Sequence, residues 1–188
     1  MLYFKLITNK ITSWIIFTEI AQNTTLPIIL YNVPARTGIN IDPSTCYILS
    51  RTPNIVAIKE ASGNISQAAN IAALCKENLT IYSGNDDQIV PILSLGGLGV
   101  ISVLSNIYPK YVHNMVYNYF SGDIQKAKNS QLNCIDLVNS LFCEVNPIPI
   151  KFAMNYAGFK CGKPRLPLIE LSNAGKERVI DSIKKFVY

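Results

Sequence analysis

Between Pro27 and Phe120 the apolar residues fall into short unbroken runs separated by stretches with helical spacing. Ile28 to Asn32, Ile55 to Glu60, Leu79 to Gly84 and Gly99 to Val103 each read as a strand, because they are short, rich in β-branched residues and bounded by turn formers. Helices are expected from Asp42-Pro43-Ser44-Thr45, with Asp42 or Ser44 as N-cap, to about Ser50, then over Gln67–Lys76, Gln88–Leu95 and Pro109–Phe120. Pro34 to Gly38 reads as a loop. Strands that are nearly continuously apolar and alternate with helices form a parallel sheet covered on both faces, so the class is α/β.

Beyond Ser121-Gly122-Asp123 the alternation stops. Ile124 to Phe142 has helical periodicity, Pro147 to Pro149 breaks it, and Lys151–Ala157 and Gly175–Phe186 are further helices, the last capped at Ser172-Asn173. The expected division is therefore an α/β part at 1–122 and a helical part at 123–188. The first residues are less regular. Met1 to Ile7 and Ile11 to Phe17 could pass for a leader or a membrane anchor, but Lys5, Lys10 and Glu19 interrupt them, and neither is assigned. Helical spacing is clear from Phe17 to Gln22.

Composition narrows the function classes. With 49% hydrophobic and 15% charged residues the chain is globular, and its net charge of +5 is scattered without a basic stripe, which argues against nucleic-acid binding. The five cysteines contain no C-x-x-C pair, and their odd number suits reduced, buried thiols and a cytoplasmic setting. The single histidine, His113, lies in an apolar helical pattern, so a histidine metal site or a Ser-His-Asp triad is nearly excluded.

Distinctive residues close the strands: Tyr31 the first, Lys59 the second, Gly84 the third, and Ile101 with Ser102 the fourth. In parallel α/β folds the C-terminal strand ends carry the chemistry. By strict alternation Ile55, Ala57 and Lys59 share one face, so Lys59 ends an apolar face, where desolvation would supply the neutral amine that attack on a carbonyl requires. An ordinary solvated lysine fits the stretch too. Tyr31 and Arg36 lie five residues apart around a proline-stiffened turn; a phenol can shuttle a proton and a guanidinium can grip a carboxylate through two parallel hydrogen bonds. Taken singly, Tyr31 equally reads as an amphipathic core residue and Arg36 as a surface charge. Gly96-Gly97-Leu98-Gly99 precedes a strand and does not join a strand to a helix, so close packing is expected there and not a phosphate cradle.

These stretches carry a resemblance. Tyr31 to Gly38 (YNVPARTG), Ile58 to Gly63 (IKEASG), Tyr82 to Asp86 (YSGND), Gly99 to Val103 (GVISV) and Glu144 to Lys151 (EVNPIPIK) resemble, in order and spacing, the 4-hydroxy-tetrahydrodipicolinate synthase family, from about Leu26 to the C-terminus. The resemblance implies the C-terminal half of a TIM (β/α)8 barrel followed by a helical C-terminal domain. It implies condensation of pyruvate with aspartate semialdehyde in lysine and diaminopimelate biosynthesis, through a covalent imine on Lys59 and without a metal or bound cofactor. Tyr31 would relay protons, Arg36 would bind the carboxylate of aspartate semialdehyde, and Gly84 with the Ile101 backbone would line the pyruvate pocket. The partners implied are these small molecules and, as in full-length members, further copies of the chain in a dimer or tetramer, with no nucleic acid and no membrane.

The family's N-terminal half has no counterpart here, including the Gly-Thr-Thr-Gly-Glu type loop that holds the pyruvate carboxylate. A half-barrel is expected to expose a sheet edge and an apolar face, and to be impaired or inactive alone. Two further readings stand beside the synthase: a sister lyase acting on N-acetylneuraminate or a keto-deoxy sugar acid, and a catalytically dead remnant. A positive group at Arg36 suits a short carboxylated aldehyde better than a polyol.

Overall fold

The computed structural model describes residues 10–186, so the apolar run at 1–7 lies outside the described residues. Packing divides the chain into two units, one made of residues up to 85 with 91–101, the other of 86–90 with 102 onward. The sequence placed its boundary at 122, where βα alternation ends; the packing groups helices by their neighbours instead.

The first unit holds a four-stranded parallel sheet in the order β1-β2-β3-β4, formed by β1 (Ile28–Asn32), β2 (Ile55–Glu60), β3 (Thr80–Ser83) and β4 (Gly99–Val100). Helices α1 (Lys10–Gln22), α3 (Pro43–Leu49) and α4 (Ile65–Cys75) supply apolar residues to a core in which Leu30, Ile58 and Ile81 of the sheet pack with Ala21, Leu49 and Ile71. Fully burying a side chain such as Leu30 or Ile58 is worth roughly 1.5–3 kcal/mol. The expected cap is present: the Asp42 carboxylate accepts from Thr45 N at 2.9 Å, with Pro43 pre-set at the first helical position. Asn64 caps α4 in the same way, accepting from Gln67 N at 3.0 Å.

Several expectations are corrected. The supposed loop at Pro34–Gly38 contains one helical turn, α2 (Pro34–Thr37), closed by Gly38 in the left-handed conformation at φ 72°. The fourth strand is shorter than Gly99–Val103, although Ile101 N still donates to Ser83 O at 2.9 Å, one rung past β4. Strict alternation also fails in β2. The β1–β2 register skips Val56 between Ile28↔Ile55 and Ile29↔Ala57, so Ile55 joins Ile58 in the core instead of sharing the face of Lys59. The glycine run behaves as expected, since a Cβ on Gly97 would lie 2.5 Å from Ile92 Cγ2 and 2.8 Å from Ile92 O. Helix α5 (Ile89–Ser94) precedes it and sends Ile92 into the core.

In the second unit α6 (Pro109–Phe120) packs on α7 (Ile124–Asn133), and α10 (Asn173–Lys185) packs on α8 (Ile135–Leu141) and α9 (Ile148–Tyr156). The expected continuous helix over Ile124–Phe142 is interrupted at Cys134, which ends α7 and starts α8 at φ −89°, ψ −4°. The prolines do stand at the break before the next helix, but that helix begins at Ile148 and not at Lys151: Pro149 sits in the first turn of α9, where a missing N–H costs nothing. Ser172 caps α10 as anticipated, accepting from Gly175 N at 3.0 Å. Among the described residues no helix is long and apolar enough to cross a membrane.

Candidate active site

Because the strands are parallel and consecutive, their C-terminal ends lie along one edge of the sheet. Tyr31 and Lys59 are register partners on β1 and β2, and the Lys59 amine stands 4.2 Å from the centre of the Tyr31 ring. That contact is of cation–π type and holds the amine over the aromatic face. On its other side Lys59 is in register with Tyr82 of β3, and Tyr82 in turn with Gly99 of β4. A Cβ at Gly99 would meet the Tyr82 ring at 3.6 Å, an ordinary contact. Tyr82 opens the YSGND motif, but only pairing across strands shows it flanking the lysine.

The face that carries Lys59 is open in this chain. Ile29 and Tyr31, its neighbours on β1, are 48% and 43% exposed, and Ile101 is 39% exposed, while Lys59 itself is half-buried. The wholly apolar surroundings anticipated from alternation are therefore replaced by an aromatic wall and solvent.

Gly84 and Ile101 are tied to the same edge through the backbone. Gly84 N donates to Glu60 O at 2.7 Å, directly after Lys59, and Ile101 N donates to Ser83 O at 2.9 Å. Gly84 approaches β2 so closely that a Cβ would fall 2.5 Å from the Ala61 Cβ and 3.0 Å from Glu60 O, which is why glycine is required there. Arg36 rides on α2, exposed, immediately after β1, with its backbone N–H donating to Val33 O at 2.9 Å. The structure thus brings Tyr31 and Lys59 into contact, places Gly84 and Ile101 on adjoining strand ends, and presents Arg36 on the turn beside them.

Behind this edge lies a polar network that the sequence reading did not find. Asn32 and Glu60, register partners one position past Tyr31 and Lys59, are 1% and 4% exposed. Asn32 Nδ2 donates to Glu60 Oε2 at 2.9 Å, Gln67 Nε2 donates to the same oxygen at 3.2 Å, and Ser62 N donates to Oε1 at 2.6 Å. A signal for it existed: both residues are polar yet fall in phase with the core residues Leu30 and Ile58. No group of three or more acidic, cysteine or histidine side chains capable of holding a metal occurs among the described residues.

The edge thus carries an amine at a parallel-strand end, a phenol ring against it and a guanidinium on the next turn. The chain belongs to the dihydrodipicolinate synthetase family, whose sequence profile it matches over residues 3–186. It is 56% identical over 170 residues to 4-hydroxy-tetrahydrodipicolinate synthase 1 of Clostridium acetobutylicum, covering 90% of this chain and 58% of that protein. It is also 56% identical over 161 residues to the synthase of Caldicellulosiruptor bescii, covering 86% of this chain and 54% of that protein. The fold is similar to part of the dihydrodipicolinate synthase from Thermotoga maritima, a TIM-barrel structure, at TM-score 0.90 and 35% identity over 95% of this chain and 62% of that one. The chain spans little more than half the length of the curated relatives it matches.

Proposed function

We propose that the site condenses pyruvate with aspartate semialdehyde to 4-hydroxy-tetrahydrodipicolinate, the product that its relatives' name carries, on the route to diaminopimelate and lysine. The Lys59 amine attacks the pyruvate carbonyl, water leaves, and an imine links substrate to chain. The imine withdraws electrons, so the pyruvyl methyl loses a proton and the enamine attacks the aldehyde carbon; the amino group of the aspartate semialdehyde part then adds to the re-formed imine carbon and expels the Lys59 amine, which closes the ring and frees the lysine. Tyr31 carries protons to and from the reacting oxygens, Arg36 holds the carboxylate of aspartate semialdehyde, and Gly84 with the Ile101 backbone walls the pyruvate site. No bound cofactor takes part, since the covalent imine is itself the electron sink. The setting is cytoplasmic, in keeping with five free cysteines, and the whole assembly is a homo-oligomer, although one solved relative is described as a monomeric variant.

The observation that carries this reading is the Lys59 amine held 4.2 Å over the Tyr31 ring at the end of a parallel strand. Its test is reduction with borohydride in the presence of pyruvate, in an assembly in which a second chain closes the barrel, followed by peptide mapping. Label on Lys59 is the expected result. Label confined to another lysine, or none, would overturn the assignment.

A further inference from the structure

The Asn32–Glu60 network lies on the opposite side of the sheet from the reacting amine, yet both strands of the Tyr31–Lys59 pair and the segment that carries Arg36 are tied to it. Glu60 follows Lys59 directly and its carboxylate takes three N–H donors, from Asn32 at the end of β1, Ser62 in the turn after β2 and Gln67 on α4. Asn32 follows Tyr31, and its Oδ1 accepts from Ile41 N at 2.9 Å, which pins the far end of the segment bearing Arg36. Asn40, on that same segment, accepts from Asn32 Nδ2 at 3.0 Å and donates to Gln67 Oε1 at 2.7 Å. A single register pair therefore clamps both ends of the Arg36 turn and both strands of the Tyr31–Lys59 pair.

We propose that Glu60, through Asn32, is the positioning residue that holds Lys59, Tyr31 and the Arg36 turn as one preorganised unit. The role extends the imine reading above and rests on it for its chemical purpose. A buried carboxylate suits the position because all its partners are donors, and an amide could not replace it. Asn32 is unable to turn its own amide over, since Oδ1 is already engaged by Ile41 N; a glutamine at position 60 would thus aim its NH2 at either Asn32 Nδ2 or Ser62 N and leave one donor without an acceptor. Packing volume would hardly change, so the variant isolates the hydrogen-bond pattern from the fill of the core.

The test compares wild type, Glu60→Gln and the exchanged pair Asn32→Asp with Glu60→Gln. In the exchanged pair an aspartate at 32 accepts from Ile41 N and from the new amide, whose oxygen accepts from Ser62 N; the facing amides of Asn40 and Gln67 turn over together, so that Asn40 Nδ2 donates to the aspartate and Gln67 Oε1 accepts from the amide at 60. Two readouts need no chemistry: amide hydrogen exchange at Ile41 and Ser62, and the upfield ring-current shift that Tyr31 imposes on the Lys59 methylene protons. In Glu60→Gln both amides should exchange about 10-fold faster or more, while amides of α6 and α10 are unchanged, and the Lys59 shift should collapse. The exchanged pair should recover most of both. The third readout is the rate of borohydride trapping with pyruvate, whose maximum should fall about 10-fold in Glu60→Gln with little change in the half-saturating pyruvate concentration. Unaltered exchange and an unaltered Lys59 shift in Glu60→Gln, or no recovery in the exchanged pair, would overturn the proposal. A wild type that is never labelled would instead sink the imine reading, and the first two readouts would still decide the positioning role.

Discussion

Gly84→Ala probes the closeness of the strand ends around Lys59. The φ of Gly84 lies outside the left-handed range, so alanine can adopt the backbone and the cost is one of contact. A Cβ there would sit 2.5 Å from the Ala61 Cβ and 3.0 Å from Glu60 O, against ordinary carbon contacts of about 3.5–4.0 Å. Neither obstacle is the mobile tip of a long side chain. Glu60 O is held by Gly84 N at 2.7 Å, so the end of β3 must move off β2 by roughly 1 Å. Overpacking of this kind costs about 1–3 kcal/mol, offset by about 0.4–1 kcal/mol because alanine narrows the unfolded ensemble. A net loss near 1–2 kcal/mol lowers the urea midpoint by roughly 0.5–1 M at an ordinary denaturant sensitivity. Ala61→Gly in the same background removes the tightest contact and should return about half the loss, a positive coupling measurable by a double-mutant cycle. Gly96→Ala is the contrast: at φ 91° with nothing within 4 Å it is strained by conformation alone, and Ala61→Gly should not rescue it. An unshifted midpoint in Gly84→Ala, or zero coupling to Ala61, would refute the argument that close approach demands glycine.

Tyr31→Phe keeps the ring beneath the Lys59 amine and removes only the hydroxyl, so in an assembly that closes the barrel the proposed turnover of pyruvate with aspartate semialdehyde should drop about 10²-fold or more with an unchanged circular dichroism spectrum; steady-state kinetics at wild-type rates would remove Tyr31 from the proton relay. Leu30→Ala empties a fully buried site in the sheet core and should cost about 2–5 kcal/mol, read as a fall in urea midpoint. Burial, with the charge of Asp86 added, pushes the Cys134 thiol up to about 12, and burial raises Cys46 as well. Their folded values exceed the unfolded value of about 8.5, so the folded chain keeps protons that the unfolded chain gives up: the stability is full below about pH 8.5 and falls above it by at most about 1.4 kcal/mol per pH unit for each thiol. Urea midpoints measured from pH 8 to 10 should decline, less steeply in Cys134→Ala, and an identical slope in that variant would count against the assignment.

The amino-acid pattern by itself determined the alternation of strands and helices, the caps at Asp42 and Ser172, and the placement of Tyr31 and Lys59 at strand ends, because these depend on the local period of apolar residues and on a few neighbouring side chains. The order of five short motifs carried the family. Tertiary structure decided what depends on partners distant in sequence. Periodicity could not show that Val56 is skipped in pairing with β1, since register is a property of two strands and one inserted residue moves Ile55 to the other face. It could not show that α7 stops at Cys134, because both flanking segments keep helical spacing and the break lies in the turn between them. Asn32 and Glu60 are 28 positions apart, and each alone looks like an ordinary polar residue closing a strand; only their burial as a register pair reveals the clamp behind Lys59. The same holds for Gly84, whose need for a missing side chain arises from Ala61 on the neighbouring strand and from nothing in its own surroundings along the chain.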